Sequence, residues 1–413
     1  MIESCSARAL IKDPKRQPEE RVMTLAHSNT FKQPRCLPVG DIRDALQRLS
    51  GTVAEQRAGF DAAGQLPDGL FDSLADLGLF RLLLPARLGG HELSALDFMD
   101  VVEDAAALDG SIGWLVGNGG GMGRVGGFLS EASAREIFDD PKAFIVAGTG
   151  GLGQVVATDG GVQVSGRWAF GSGAPHGTWF SPVCEVYENG VASGRKVLVY
   201  APRKDVFLHD NWRVSGLCAT GSVDFEFRDV LVPDRFVHDF QPEPNHPGTL
   251  YRLPTLSIFP WTVATVPLGL ARGARDAFLR IASQRKRRGD SLALAERELV
   301  QSELGRIDAQ LAAARVYLRQ VMLDLLEGVE AGADLLPLRV RFRMGCTFAS
   351  ETALCAINRI TEIAGAVSIL QNSPLERYER DARAAAKHIA MSSVAYINGG
   401  KLALGQELLP SGY

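Results

Sequence analysis

A run of more than thirty residues without proline, LALAERELVQSELGRIDAQLAAARVYLRQVMLDLLEGVEAG at 292–332, constrains this chain more than any other feature. A thirty-residue helix is about 45 Å long at 1.5 Å per residue, so it must lie along other helices of similar length. Three neighbours qualify, at 266–288, 337–365 and 373–405. The spacing predicts long antiparallel helices, a bundle of the kind that often pairs with other subunits.

Upstream the period changes twice. Residues 1–38 are polar, contain proline and show no repeat, which marks an N-terminal extension. From 39 to 140 apolar residues recur at spacings of three and four, as in DIRDALQRLSGTVAEQRAGFDAAGQ, and predict an N-terminal helical domain. Pro67 opens one helix, with Leu70, Leu74 and Leu77 on one face and Gly78 as C-cap. Another starts near Ser94 and is expected to end at Gly110. The glycine-rich run 112–128 suits a helix pressed closely against a neighbour. Between 141 and 240 the pattern turns to short Val- and Phe-rich runs, FIVAG, GVQVSGRWAF, TWFSPVCEVY, KVLVY and SVDFEF. They predict a β-barrel-like domain of antiparallel character, without the βαβ spacing of a Rossmann unit. The fold class is α+β: helical domain, β domain and, over 241–413, a four-helix bundle.

Composition narrows the function classes. A formal charge of -4 speaks against nucleic-acid binding, which needs a basic excess. The six cysteines form no CxxC pair and fit neither a zinc site nor a disulfide framework, so no metal and a reducing compartment are expected. The N-terminus has no apolar signal core, and no membrane span is expected. The expected location is cytoplasmic.

Five stretches then stand in a telling order. They are LGLFRLLLPARLGG at 77–90, DGSIGWL at 109–115, VSGRWAFGSGAPHGTW at 164–179, WRVSGLCATGSVDFEFRDVLVP at 212–233 and NSPLERYERDARAAAKHIAMS at 372–392. On them the chain resembles the acyl-CoA dehydrogenase superfamily, and within it the group D, two-component flavin-dependent monooxygenases. The resemblance implies an acyl-CoA dehydrogenase-like fold, a homotetramer, and one flavin per subunit between the β domain and the C-terminal bundle.

It also places Trp168, Phe170, Ser172 and Gly173 beside the isoalloxazine ring. A hydroxyl and backbone N–H groups suit the flavin's polar edge there. Without the resemblance the same run reads as a strand and turn around core aromatics. Thr149 and Arg383 are further candidates for cofactor contacts, Arg383 toward the flavin pyrophosphate of a neighbouring subunit. Trp114, Cys218, Thr220 and Ser222 are candidates for the substrate pocket, the last three in a glycine-containing loop that can equally just link strands. His388, on the last long helix, is the candidate catalytic residue, since an imidazole titrating near neutrality can deprotonate or orient a substrate. A core histidine with a local bond is the alternative. Three departures from the family pattern stand out. Cys218-Ala219 replaces a common Arg-Gly, Arg383 takes a place often held by His or Asn, and no histidine lies between His91 and His176.

The resemblance implies a monooxygenase fed with reduced FAD or FMN by a separate NAD(P)H-dependent flavin reductase. Reaction with O2 through a C4a-(hydro)peroxyflavin would oxygenate a small aromatic, heteroatom-bearing or CoA-linked substrate. One rival is acyl-CoA dehydrogenase or oxidase chemistry, for which Glu351 or Glu362 would be the base. The other is a noncatalytic scaffold of the same fold.

Overall fold

A computed structural model describes residues 37–286 and 292–409, so the extension expected at 1–38 lies outside the described residues except for its last two positions. The chain first forms α1 Val39–Arg48, α2 Ser50–Ala63, α3 Asp68–Asp76, α4 Ala95–Leu108, α5 Gly110–Met122 and α6 Glu131–Phe138. Ser94 caps α4, its hydroxyl accepting the Asp97 N–H at 3.2 Å. Gly110 opens α5 rather than closing α4. Asp109 takes an extended backbone that ends α4, and its carboxylate accepts the Ser111 N–H at 3.0 Å to cap α5. Helix α5 is almost wholly buried, as its glycines predict: a Cβ at Gly117 would stand 2.3 Å from the Thr262 carbonyl oxygen.

The middle of the chain is a sheet of β1 Ile145–Thr158, β2 Gly161–Trp168, β3 Trp179–Glu188, β4 Val191–Val199, β5 Ala201–Pro202, β6 Phe207–Leu208, β7 Phe225–Pro233 and β8 Val237–Asp239. The order is β6-β7-β2-β1-β3-β4-β8, with β5 paired to β3. Antiparallel character is only part of this sheet, because β1 and β3 are parallel, from Ile145 opposite Trp179. After β2 the chain crosses β1 and returns on its other side, a connection that alternating strand patterns do not encode. The crossing segment, 169–178, carries Phe170, Ser172 and Gly173.

Two short helices, α7 Thr249–Arg252 and α8 Thr255–Trp261, lead into α9 Val266–Gln284, α10 Glu298–Glu330, α11 Leu335–Ala364, α12 Pro374–Ala385 and α13 Val394–Ala403. Helix α11 packs against α9, α10, α12 and α13. By length and composition alone α11 is apolar enough to cross a membrane. Its buried residues, among them Phe342, Ala349, Ala353 and Ile357, belong to the protein core. The single last helix expected over 373–405 is broken between α12 and α13 by a 3-10 turn at Ile389–Met391. Side chains compete with the helix there: His388 Nδ1 accepts the Ala390 N–H at 3.2 Å and Ser392 Oγ the Val394 N–H at 3.4 Å. His388 therefore stands at a break and not on a helix.

Candidate active site

Trp114 is where the three parts of the chain meet. It projects from α5, nearly buried, and its Nε1–H donates to Ser172 Oγ in the β2–β3 crossing at 3.0 Å. Its ring meets the His388 imidazole edge-on, with centroids 5.4 Å apart.

From Ser172 the hydrogen bonds continue. Ser172 Oγ lies 2.9 Å from Ser222 Oγ, Ser222 Oγ lies 2.7 Å from Thr220 Oγ1, and Thr220 Oγ1–H donates to the Leu217 carbonyl at 2.8 Å. The ends fix the direction of this chain. An indole N–H can only donate and a carbonyl oxygen can only accept. The protons therefore run one way: Trp114 to Ser172, Ser172 to Ser222, Ser222 to Thr220, Thr220 to Leu217. Ser172 has its proton committed and keeps one lone pair, so toward an open face it is an acceptor.

Backbone bonds fasten the same two loops together. Gly173 N–H donates to the Thr220 carbonyl at 2.7 Å and Gly171 N–H to the Val223 carbonyl at 3.0 Å. Trp212 Nε1–H donates to the Cys218 carbonyl at 2.9 Å. Neither the Trp212 nor the Leu217 contribution was visible in the residue pattern; a non-glycine residue in the left-handed region, such as Leu217, has no sequence mark.

His388 is electrostatically the most perturbed of these groups. Burial, then the nearby Arg343 guanidinium, lower its pKa to about 4, so it is neutral at neutral pH. Since Nδ1 accepts the Ala390 N–H, the single proton sits on Nε2. The imidazole offers a donor, not a vacant basic nitrogen.

The other predicted residues divide. Trp168 is fully buried, donating Nε1–H to the Val183 carbonyl and stacking on Phe225 at 5.4 Å, which is a supporting position. Phe170 is the opposite: 69% exposed in left-handed backbone (φ +61°), its ring edge-on to Trp212. An exposed aromatic face held in an unfavourable backbone state beside a lone-pair oxygen fits a flat, polar-edged ring. Thr149 is exposed on the bulge of β1, where Gly150 bridges Ala169. Arg383 points outward from α12, paired with Glu379. Cys218 is buried, and Arg380 Nη1 donates to its sulfur at 3.3 Å, so a guanidinium reaches position 218 from α12. Of the carboxylates considered for desaturation, Glu351 accepts the Tyr396 hydroxyl on the exposed side of α11 and Glu362 is exposed.

Comparison with known proteins bears on the family and the fold. Residues 41–136 match the family description acyl-CoA dehydrogenase, N-terminal domain, and residues 261–393 the acyl-CoA dehydrogenase, C-terminal domain. Indole-3-acetate monooxygenase of Pseudomonas putida is 29% identical over 365 residues, covering 88% of this chain and 93% of that protein. The flavin-dependent monooxygenase oxygenase subunit HsaA of Rhodococcus jostii is 29% identical over 364 residues, covering 84% and 93%. The crystal structure of 3-HSA hydroxylase from Rhodococcus sp. RHA1 superposes with a TM-score of 0.83 at 26% identity, covering 90% of this chain and 99% of that one.

Proposed function

From the premise that the chain belongs to the acyl-CoA dehydrogenase superfamily, on its flavin-dependent monooxygenase branch, we propose that it is the oxygenase component of a two-component system. A separate NAD(P)H-dependent reductase supplies reduced FAD or FMN, O2 is the oxidant, and the substrate is a small aromatic or heteroatom-bearing molecule. The observation that carries this reading is the junction at Trp114, which sets an acceptor-only hydroxyl, Ser172, and a donor-only imidazole, His388, on either side of one indole. When bound, reduced flavin would supply the two electrons with which O2 gives one oxygen atom to the substrate and the other to water.

The residues do the rest. Phe170 offers its exposed face for stacking. Ser172 would accept an N–H, which reduced flavin carries on its central ring and oxidised flavin lacks, so it would favour the reduced form. His388 holds a proton at Nε2 that it can donate in a hydrogen bond to an oxygen beside Trp114, while its raised cost of protonation keeps it from acting as an imidazolium. Trp114 and the buried Thr220 and Ser222 keep water from this face. A homotetramer accords with the exposed Val316, Phe348 and Ile397 on α10, α11 and α13. Glu351 and Glu362, the bases considered for desaturation, stand exposed on α11.

The test uses the full chain, anaerobically reduced FAD or FMN, 18O2, and a panel of indoles and phenols. One labelled oxygen in a product supports the proposal. No labelled product, together with bleaching of bound oxidised flavin by an acyl-CoA, overturns it in favour of the dehydrogenase.

A further inference from the structure

Leu217 stands in left-handed backbone at φ +53°, where its Cβ crowds the following carbonyl and only the surroundings can hold a leucine. It is also the acceptor end of the hydroxyl chain, receiving both the Thr220 N–H at 3.1 Å and the Thr220 Oγ1–H at 2.8 Å. Its own N–H is taken by a side chain from the other end of the protein, Asp381 Oδ1 on α12, at 2.7 Å. The loop lies directly on that helix: a Cβ at Gly216 would stand 2.3 Å from the Arg380 carbonyl oxygen.

Asp381 is fully buried, and its ion pair with Arg377 is a long one. Arg377, one turn earlier, directs Nε to Asp109 at 2.8 Å and Nη1 to Asp61 at 2.9 Å, and stays 3.9 Å from Asp381 Oδ2. That oxygen has no hydrogen-bond partner among the described residues and sits where a Cβ on Gly110 would be 2.7 Å away. Burial, reinforced by the neighbouring Asp109 carboxylate, raises its pKa. A buried carboxyl group whose shortest bond is to one backbone N–H is costly to keep. The bond it makes holds Leu217.

We propose that Asp381 is a positioning residue of the site: by anchoring Leu217 it sets the direction of the Trp114–Ser172–Ser222–Thr220 chain and so keeps Ser172 an acceptor. This rests on the flavin reading above and adds to it the residue that enforces the site's choice of redox state.

Anaerobic titration of the flavin-free full-length protein with reduced and with oxidised FAD gives the ratio of the two dissociation constants. The wild type binds reduced FAD more tightly. Asp381→Ala lowers that preference about tenfold, the scale of one hydrogen bond. Asp381→Asn keeps an oxygen for the Leu217 N–H and stays within about threefold of wild type. Leu217→Gly added to Asp381→Ala removes the left-handed penalty and recovers most of the preference. Equal loss in Asp381→Asn and Asp381→Ala means that the charge matters and the anchor does not, and overturns the proposal. An unchanged ratio in folded Asp381→Ala overturns it too. If Asp381→Ala does not fold, Asp381→Asn and the double variant decide the same question. Hydrogen exchange of the 212–223 segment needs no flavin: it quickens at least about tenfold in Asp381→Ala and not in Asp381→Asn. A wild type with no preference between the two flavins overturns the functional reading, whereas unchanged exchange in Asp381→Ala overturns the anchor alone.

Discussion

The two sides of Trp114 are built on opposite plans. On the Ser172 side every hydroxyl proton is spent, each on the next oxygen, and the chain ends on a carbonyl that cannot pass it further. On the His388 side the backbone leaves its helix, one imidazole nitrogen is used locally, and the other keeps its proton for something else. A fully committed network is rigid and selects what it will accept. A residue at a break between two helices, with one donor that has no partner among the described residues, is placed to act. The first side suits holding a cofactor, the second suits meeting the reacting atoms.

The largest test of this contrast removes the residue that joins the halves. Trp114→Ala should cost about 3–5 kcal/mol in denaturant unfolding through the cavity it leaves. Trp114→Phe, which keeps one six-membered ring but loses the Nε1–H and the rest of the indole, should cost less, about 1–3 kcal/mol. Similar costs for both would mean that the hydrogen bond to Ser172 carries the effect and the packing of the ring adds little.

His388→Ala should lower product formation per bound flavin about 100-fold. His388→Gln places an N–H near the position of Nε2 and should recover part of that loss. If Gln is as poor as Ala, the imidazole works as a base and the two sides are less different than they look. The proton inventory gives an independent check. Because the fold lowers the His388 pKa to about 4, the residue adds stability that is complete above the ordinary histidine value of about 6.5 and is lost as pH falls from there toward 4. Nitrogen NMR should show the neutral Nε2–H tautomer throughout pH 6 to 8.

Smaller effects sharpen the other side. Ser222→Ala interrupts the hydroxyl chain and leaves the Ser172 proton without its acceptor, for about 1 kcal/mol in stability. Freed to donate, Ser172 should then bind oxidised flavin relatively better. Arg383→Ala breaks only an exposed pair with Glu379 and should change monomer stability by no more than about 0.5 kcal/mol. A clear loss of flavin affinity in that variant would support the role proposed for Arg383 on a neighbouring subunit's cofactor.

Much of the site could be read in the sequence, though not how it is joined. WAFGSG and CATGS are glycine-containing loops at strand ends, and residue type alone made Ser172, Thr220 and Ser222 candidates. Their mutual bonds depend on β2 crossing β1 to reach β3, a topology that a strand pattern with period two does not carry. His388 could be singled out, but its RAAAK surroundings have a helical period, and only side-chain capping in the folded chain shows the break. Asp381 looked like one more member of an ion-pair run, because a sequence shows charges and not which backbone N–H lies opposite.

The sequence by itself determined the helix, sheet, helix order and the long bundle helices, since apolar periodicity is local and survives in one dimension. It also determined the neutral-to-acidic character of the chain and the types of residue available to the site. Tertiary structure alone decided which of them touch, which way their protons run, and that a leucine is held in left-handed backbone by an aspartate 164 residues away. Those properties belong to pairs of groups brought together from distant parts of the sequence, and hydrogen-bond direction is set by the ends of a chain that no single segment contains.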